Sequence, residues 1–126
     1  MEDYNPHYAP NTAEWLEIQE SERIDMVIFF HDEVEEALPE DGKTLHSLVH
    51  VVVENQIALG VEPVGNAIAR LSRQGLSRHE AIHAVGAILS EDIYDLMKNG
   101  QEAINQTRYR RRLEKLTAKR WKKGQW

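Results

Sequence analysis

The sequence predicts an all-α protein, a compact bundle of about five helices followed by a basic C-terminal helix or arm. Apolar residues recur at helical spacing in five successive segments, and loops rich in proline, glycine and capping residues separate these segments. No segment shows the apolar–polar alternation of a half-buried strand. The short connections favour antiparallel neighbours in a bundle.

The composition indicates one small unit and excludes several kinds of site. The chain has 126 residues and no cysteine, which excludes disulfides, thiolate catalysis and zinc sites built from cysteine. Its apolar runs are far shorter than a membrane span, and its acidic N-terminus lacks the features of a signal peptide. We therefore expect a cytoplasmic protein. A homo-oligomer is compatible with the sequence.

The net charge of −6 conceals two regions of opposite sign. Residues 1–104 contain 20 acidic residues and 6 lysines or arginines, whereas residues 105–126 contain 9 lysines or arginines and one acidic residue. This contrast predicts a helical bundle domain over 1–104 and a basic C-terminal helix or tail over 105–126. Any argument for nucleic-acid binding therefore depends on the tail alone.

The first two predicted helices follow an irregular N-terminal segment. Asn11 is a predicted N-cap, with Glu14 three residues later, and the helix should run from Thr12 to Glu20. A second helical periodicity continues to Leu38. Ser21 either caps a separate second helix or lies at a bend in a continuous one.

The third helix is the predicted centre of the bundle. A turn is expected from Pro39 to Gly42, with Thr44 as the N-cap and Gly60 as the residue after the helix end. Apolar residues occupy nearly all sides of this helix, as expected for an element surrounded by others.

Two more helices complete the predicted bundle. Pro63 suits the first position of the fourth helix, and Gly75 suits its end. Ser77 and Glu80 have the spacing of a capping box for the fifth helix, which should end near Gly100.

Histidines are concentrated on the third and fifth helices. His46 and His50 are four residues apart, as are His79 and His83, so each pair lies on one side of its helix. Two imidazoles at this spacing can bind one ion, and bundles hold metals between facing helices. The pattern predicts a site for a divalent ion such as zinc, iron or manganese. The predicted ligands are His46, His50, His79 and His83, completed by Glu54 or His31.

Two other interpretations of the histidines stay open. Buried histidines often form polar networks without a metal, and Asn55 and Gln56 are natural members of such a network. The string H-E-x-x-H at His79–His83 is also that of zinc peptidases, in which the glutamate activates water. A simpler role for Glu80 is that of the second residue of a capping box, and this argues against a peptidase, in which the glutamate must be free to activate water. The sequence contains neither a phosphate-binding loop nor a catalytic triad, so no motif indicates a particular reaction.

The basic tail is the second candidate site. Its nine cations are interleaved with Tyr109, Trp121 and Trp126, as in segments that neutralise phosphates and stack bases. The residues predicted to contact nucleic acid or a protein partner are Arg108, Arg110, Arg111, Arg112, Lys119, Arg120 and Trp121. The alternative is that Tyr109, Leu113 and Leu116, at helical spacing, dock the tail on the acidic bundle.

Two segments resemble a small bacterial family of unknown function. The run LHSLVHVVVENQIA, at residues 45–58, is followed by ARLSRQGLSRHEAIHAVGAIL, at residues 69–89. That family has a histidine pair before Val-Glu-Asn-Gln and then an Arg-His-x-Ala-Ile-His segment. The resemblance covers roughly residues 12–97 and implies an all-helical bacterial domain, without an activity to carry over.

Overall fold

A computed structural model of the chain describes residues 3–33 and 40–126, with backbone alone at 31–33 and 40–45. Over these ranges the secondary structure is entirely helical, which confirms the all-α prediction. The seven helices found there are α1 (Thr12–Glu17), α2 (Glu20–Glu33), α3 (Glu40–Ala58), α4 (Glu62–Arg73), α5 (Arg78–Asn99), α6 (Gln106–Lys115) and α7 (Ala118–Lys122). None of the helices in the described ranges is long and apolar enough to cross a membrane.

The first predicted helix ends three residues early, and a separate helix follows it. Asn11 caps α1 by accepting a hydrogen bond from the Glu14 amide, as predicted. The chain leaves the helix at Ile18, whose backbone is extended. The Arg23 side chain then donates to the carbonyls of Ile18 and Leu16, at 2.8 and 2.9 Å. Arg23 therefore satisfies carbonyls that a continuous helix would have bonded internally.

The third helix begins earlier than predicted. The backbone is already helical at Glu40, so Thr44 lies inside α3 and is not its N-cap. The physical reason is that acidic residues at 40 and 41 suit a first helical turn, and a glycine near a helix end is tolerated. The predicted end at Leu38 and the start of the predicted turn fall outside the described residues.

The centre of the bundle is α3, as predicted, because it packs against α1, α2, α4 and α5. It ends at Ala58, and Gly60 in the turn that follows has a positive φ of 72°. The Val61 amide donates back to the Gln56 carbonyl at 2.9 Å. A Cβ on Gly86 of α5 would lie 3.1 Å from Val49 Cγ1. The absent side chain thus lets α5 approach α3 closely, which brings their histidines near one another.

Two hydrophobic clusters hold the helices together. The smaller one consists of Tyr4, Trp15, Val27 and Val51. The larger one joins buried residues of α3, α4 and α5 to the C-terminal segment, where Tyr109, Leu113, Leu116 and Ala118 are buried. The apolar side of α6 therefore belongs to the same core as α4 and α5.

Candidate metal centre

The structure brings three of the predicted histidines together between α3 and α5. One ring nitrogen from each of His46, His50 and His83 lies within 4.8 Å of the other two. An ion equidistant from three atoms at that limit is about 2.8 Å from each, against about 2.0–2.1 Å for a zinc–imidazole bond. Ring movements of under about 1 Å would therefore complete the coordination. We call these three residues the inner triad.

His79 lies beside the inner triad, on the same helix as His83. Its ring centroid is 4.2 Å from that of His83 and 5.4 Å from that of His50. The His79 and His50 rings are parallel, with an interplanar angle of 1°. Among the histidines whose side chains are described, His79 is thus the one beside the triad. The side chain of His31, another predicted ligand, falls outside the part of the chain whose side chains are described.

Glu54 is buried behind His50, with both carboxylate oxygens engaged. Arg78 donates to Oε1 at 2.7 Å and to Oε2 at 2.8 Å, which makes a bidentate ion pair. Tyr4 donates its hydroxyl to Oε2 at 2.5 Å. The Glu54 carboxylate, 2% exposed as a residue, thus has three charge-assisted or short hydrogen bonds from neighbouring side chains.

The Tyr4 hydroxyl connects this ion pair to the histidines. Tyr4 Oη lies 3.0 Å from His50 Nε2. Because the single hydroxyl proton goes to Glu54, the Tyr4 oxygen accepts, and His50 Nε2 must carry the donated proton. The neutral ring then has its lone pair on Nδ1. Such outer partners orient metal-binding histidines and select their tautomer.

The environment holds both Tyr4 and Arg78 in their protonated forms. Burial, and then the nearby Glu54 carboxylate, raises the pKa of the Tyr4 hydroxyl well above its ordinary value. Burial alone would lower the pKa of Arg78, but the hydrogen bonds and charge of Glu54 outweigh it, so that pKa is raised. The network is therefore built from a neutral phenol and a full ion pair.

The polar residues that follow Glu54 hold other elements of the fold. Asn55 Oδ1 accepts from Trp15 Nε1 and from Arg23, each at 2.9 Å. Gln56 Oε1 accepts the Tyr109 hydroxyl at 2.9 Å. These contacts attach α1, α2 and α6 to the central helix, whereas one interpretation of the sequence placed Asn55 and Gln56 in a network with the histidines.

The contacts of Glu80 argue against a peptidase centre. The Ser77 hydroxyl accepts from the Glu80 amide at 3.1 Å, so Ser77 is the predicted N-cap of α5. The Glu80 carboxylate is exposed and accepts from Trp121 of α7 at 3.2 Å. The Glu80 carboxylate thus contacts the C-terminal segment, whereas the glutamate of a zinc peptidase must face the water bound to the metal.

Several cations of the predicted nucleic-acid surface contact acidic residues of the chain. Arg112 bonds to Asp92 at 2.9 Å and to Glu91 at 2.6 Å, and Arg108 lies 3.2 Å from Asp95. Arg110 pairs with Glu114 within α6. The remaining predicted cations, Arg111, Lys119 and Arg120, are exposed. Contact with nucleic acid or a protein partner through this surface stays a prediction.

Sequence reasoning missed Tyr4, His7 and Arg78 as residues of the site. Tyr4 and His7 lie in an irregular segment without periodicity, and they are separated from α5 by more than 70 residues. Arg78 adjoins the histidine pair, so its position in the motif was the one available signal. A buried carboxylate at residue 54 needs a cation, and Arg78 provides it.

Comparisons with known proteins provide no identification. No protein-family model, curated protein or solved structure matches the chain. The resemblance to a bacterial family of unknown function therefore stays a prediction, and function must be argued from the site.

Proposed function

We propose that this chain binds one divalent transition-metal ion at His46, His50 and His83. The observation that carries the proposal is the convergence of three imidazole nitrogens within 4.8 Å, from two helices held close by Gly86. Three neutral nitrogen ligands leave at least one position for water, for another ligand or for His79. His79 is the proposed fourth ligand among the described side chains.

The surroundings favour zinc over manganese. Imidazole suits zinc, copper, iron and nickel, whereas manganese prefers oxygen ligands. Glu54, the carboxylate nearest in sequence to His50, is committed to Arg78 and Tyr4. We therefore propose that Glu54 acts through Tyr4 by orienting His50, instead of binding the ion directly.

Metal titration of the untagged, metal-free protein tests the proposal. We expect one Zn²⁺ per chain, measured by competition with a chromophoric chelator, and a Co²⁺ absorption spectrum typical of a tetrahedral site. Alanine in place of His46, His50 or His83 should weaken Zn²⁺ binding by at least roughly 100-fold, because each change removes a ligand. Tyr4→Phe should weaken it by about 10-fold, the smaller effect of an outer partner.

Glu62→Gln is the matched control, because Glu62 is an exposed carboxylate on α4 outside the cluster. Circular dichroism must show that every variant retains its helix content. The proposal is wrong if the unsubstituted chain takes up no Zn²⁺, or if the three alanine variants bind it as tightly as the unsubstituted chain.

A further inference from the structure

We propose that His7 and His79 form an outer pair that captures the incoming metal ion and transfers it to the inner triad by stepwise ligand exchange. This inference rests on the proposed function. It adds a route of access and a kinetic role for the N-terminal segment, which the triad alone does not provide.

The spacing of the rings fits such a transfer. The ring centroids are 5.5 Å apart for His7 and His79, and 4.2 Å apart for His79 and His83, and in both pairs the rings are steeply inclined to each other, by 86° and 63°. Two imidazoles that share one tetrahedral ion have centroids about 5 Å apart, since each ion–nitrogen bond is about 2.0–2.1 Å. His79 is therefore placed to share an ion first with His7 and then with a triad histidine.

The exposure of the rings gives the transfer a direction. His7 is exposed, His79 and His83 are half-buried, and His50 is only 2% exposed. An unligated cation that moved from water into this interior would lose its hydration without compensation. Successive imidazoles replace the lost waters one at a time, so the ion is never without ligands along the route.

The position of His7 is determined by several contacts. Asn5 begins a turn in which its side chain accepts from the His7 amide at 3.0 Å and its carbonyl accepts from the Tyr8 amide at 3.1 Å. Arg78 donates to the carbonyls of Pro6 and Tyr8, at 2.9 and 3.4 Å, which flank His7 on both sides. Because Arg78 directly precedes His79, the same residue that binds Glu54 also holds His7 against His79.

Stopped-flow kinetics of Zn²⁺ binding to the full-length protein test the inference. We expect His7→Asn to slow association and dissociation by the same factor, at least several-fold, because the ion loses the first imidazole of the route in both directions. The equilibrium affinity should change by less than about 2-fold, because a route serves both directions and His7 is not a ligand of the final site. His79→Asn should slow association and also weaken the affinity.

Tyr8→Ser is the matched control, because Tyr8 is the exposed neighbour of His7, and its rates should equal those of the unsubstituted chain. Unchanged rates in His7→Asn would overturn the inference while leaving the proposed function intact. A weaker affinity with an unchanged association rate would also overturn it, since His7 would then be a permanent ligand. Failure of the unsubstituted chain to bind Zn²⁺ would overturn both proposals.

Discussion

Replacement of Glu54 by glutamine is the most informative test of how this fold is stabilised. The substitution keeps the size of the side chain but removes its charge. It also leaves the side chain with one acceptor oxygen and one NH₂ group, and the Arg78 guanidinium, which has only donors, cannot accept from that NH₂ group. The Arg78 guanidinium would then be left in a largely buried position, with 13% of its side chain exposed and no carboxylate beside it.

The expected loss is about 3 kcal/mol of unfolding free energy. Removing one partner of a buried ion pair costs about 3–5 kcal/mol. The lower end applies here because Arg78 keeps its bond to the Pro6 carbonyl and is not fully buried. Tyr4→Phe removes a single hydroxyl and should cost about 1–2 kcal/mol. The double variant should lose less than the sum, since the Tyr4 hydroxyl bonds to Glu54 itself.

Urea denaturation of the metal-free protein, followed by far-ultraviolet circular dichroism, measures these losses. The exposed change Glu102→Gln, between α5 and α6, serves as the control and should stay within about 0.5 kcal/mol of the unsubstituted chain. A loss of under about 1 kcal/mol for Glu54→Gln would contradict a buried ion pair and would mean that the pair is solvated or unformed.

Three further predictions concern the packing of the helices. Gly86→Leu should lower the unfolding free energy by about 1–3 kcal/mol in a urea denaturation, because a Cβ at this position already lies 3.1 Å from Val49. Val49→Ala should restore part of that loss in the double variant, and additive effects of the two substitutions would contradict the close approach. Leu113→Ala should lower the unfolding free energy by about 2–5 kcal/mol in the same assay, because Leu113 is fully buried. A negligible effect would mean that α6 does not pack on the core formed with α4 and α5. Burial raises the pKa of Tyr109, so its folded form stays protonated while the unfolded form ionises above about pH 10. Tyr109 should therefore contribute a loss of about 1.4 kcal/mol of unfolding free energy per pH unit above that point, in addition to the loss from Tyr4. Tyr109→Phe should lack this contribution, and equal alkaline slopes in the two proteins would be the contrary result.

The helical class, most helix ends and the pairing of histidines along each helix follow from the sequence. These features depend on contacts within about one helical turn. Asn11 and Ser77 cap helices through amides three residues away, and Gly60 and Gly100 end helices where φ is positive. The exceptions have local reasons too: α1 ends early because Arg23 takes over its last carbonyls, and α3 begins early at Glu40.

The composition of the site depended on contacts between residues far apart in the chain. Helical spacing places Glu54 near His50, but it does not reveal that Arg78 and Tyr4, 24 and 50 residues away, occupy both carboxylate oxygens. Nor does it show that His7 lies against His79. Periodicity records which side of one helix a residue lies on. Which charges meet across helices is decided by tertiary packing, because a buried carboxylate takes whichever donor the fold brings to it.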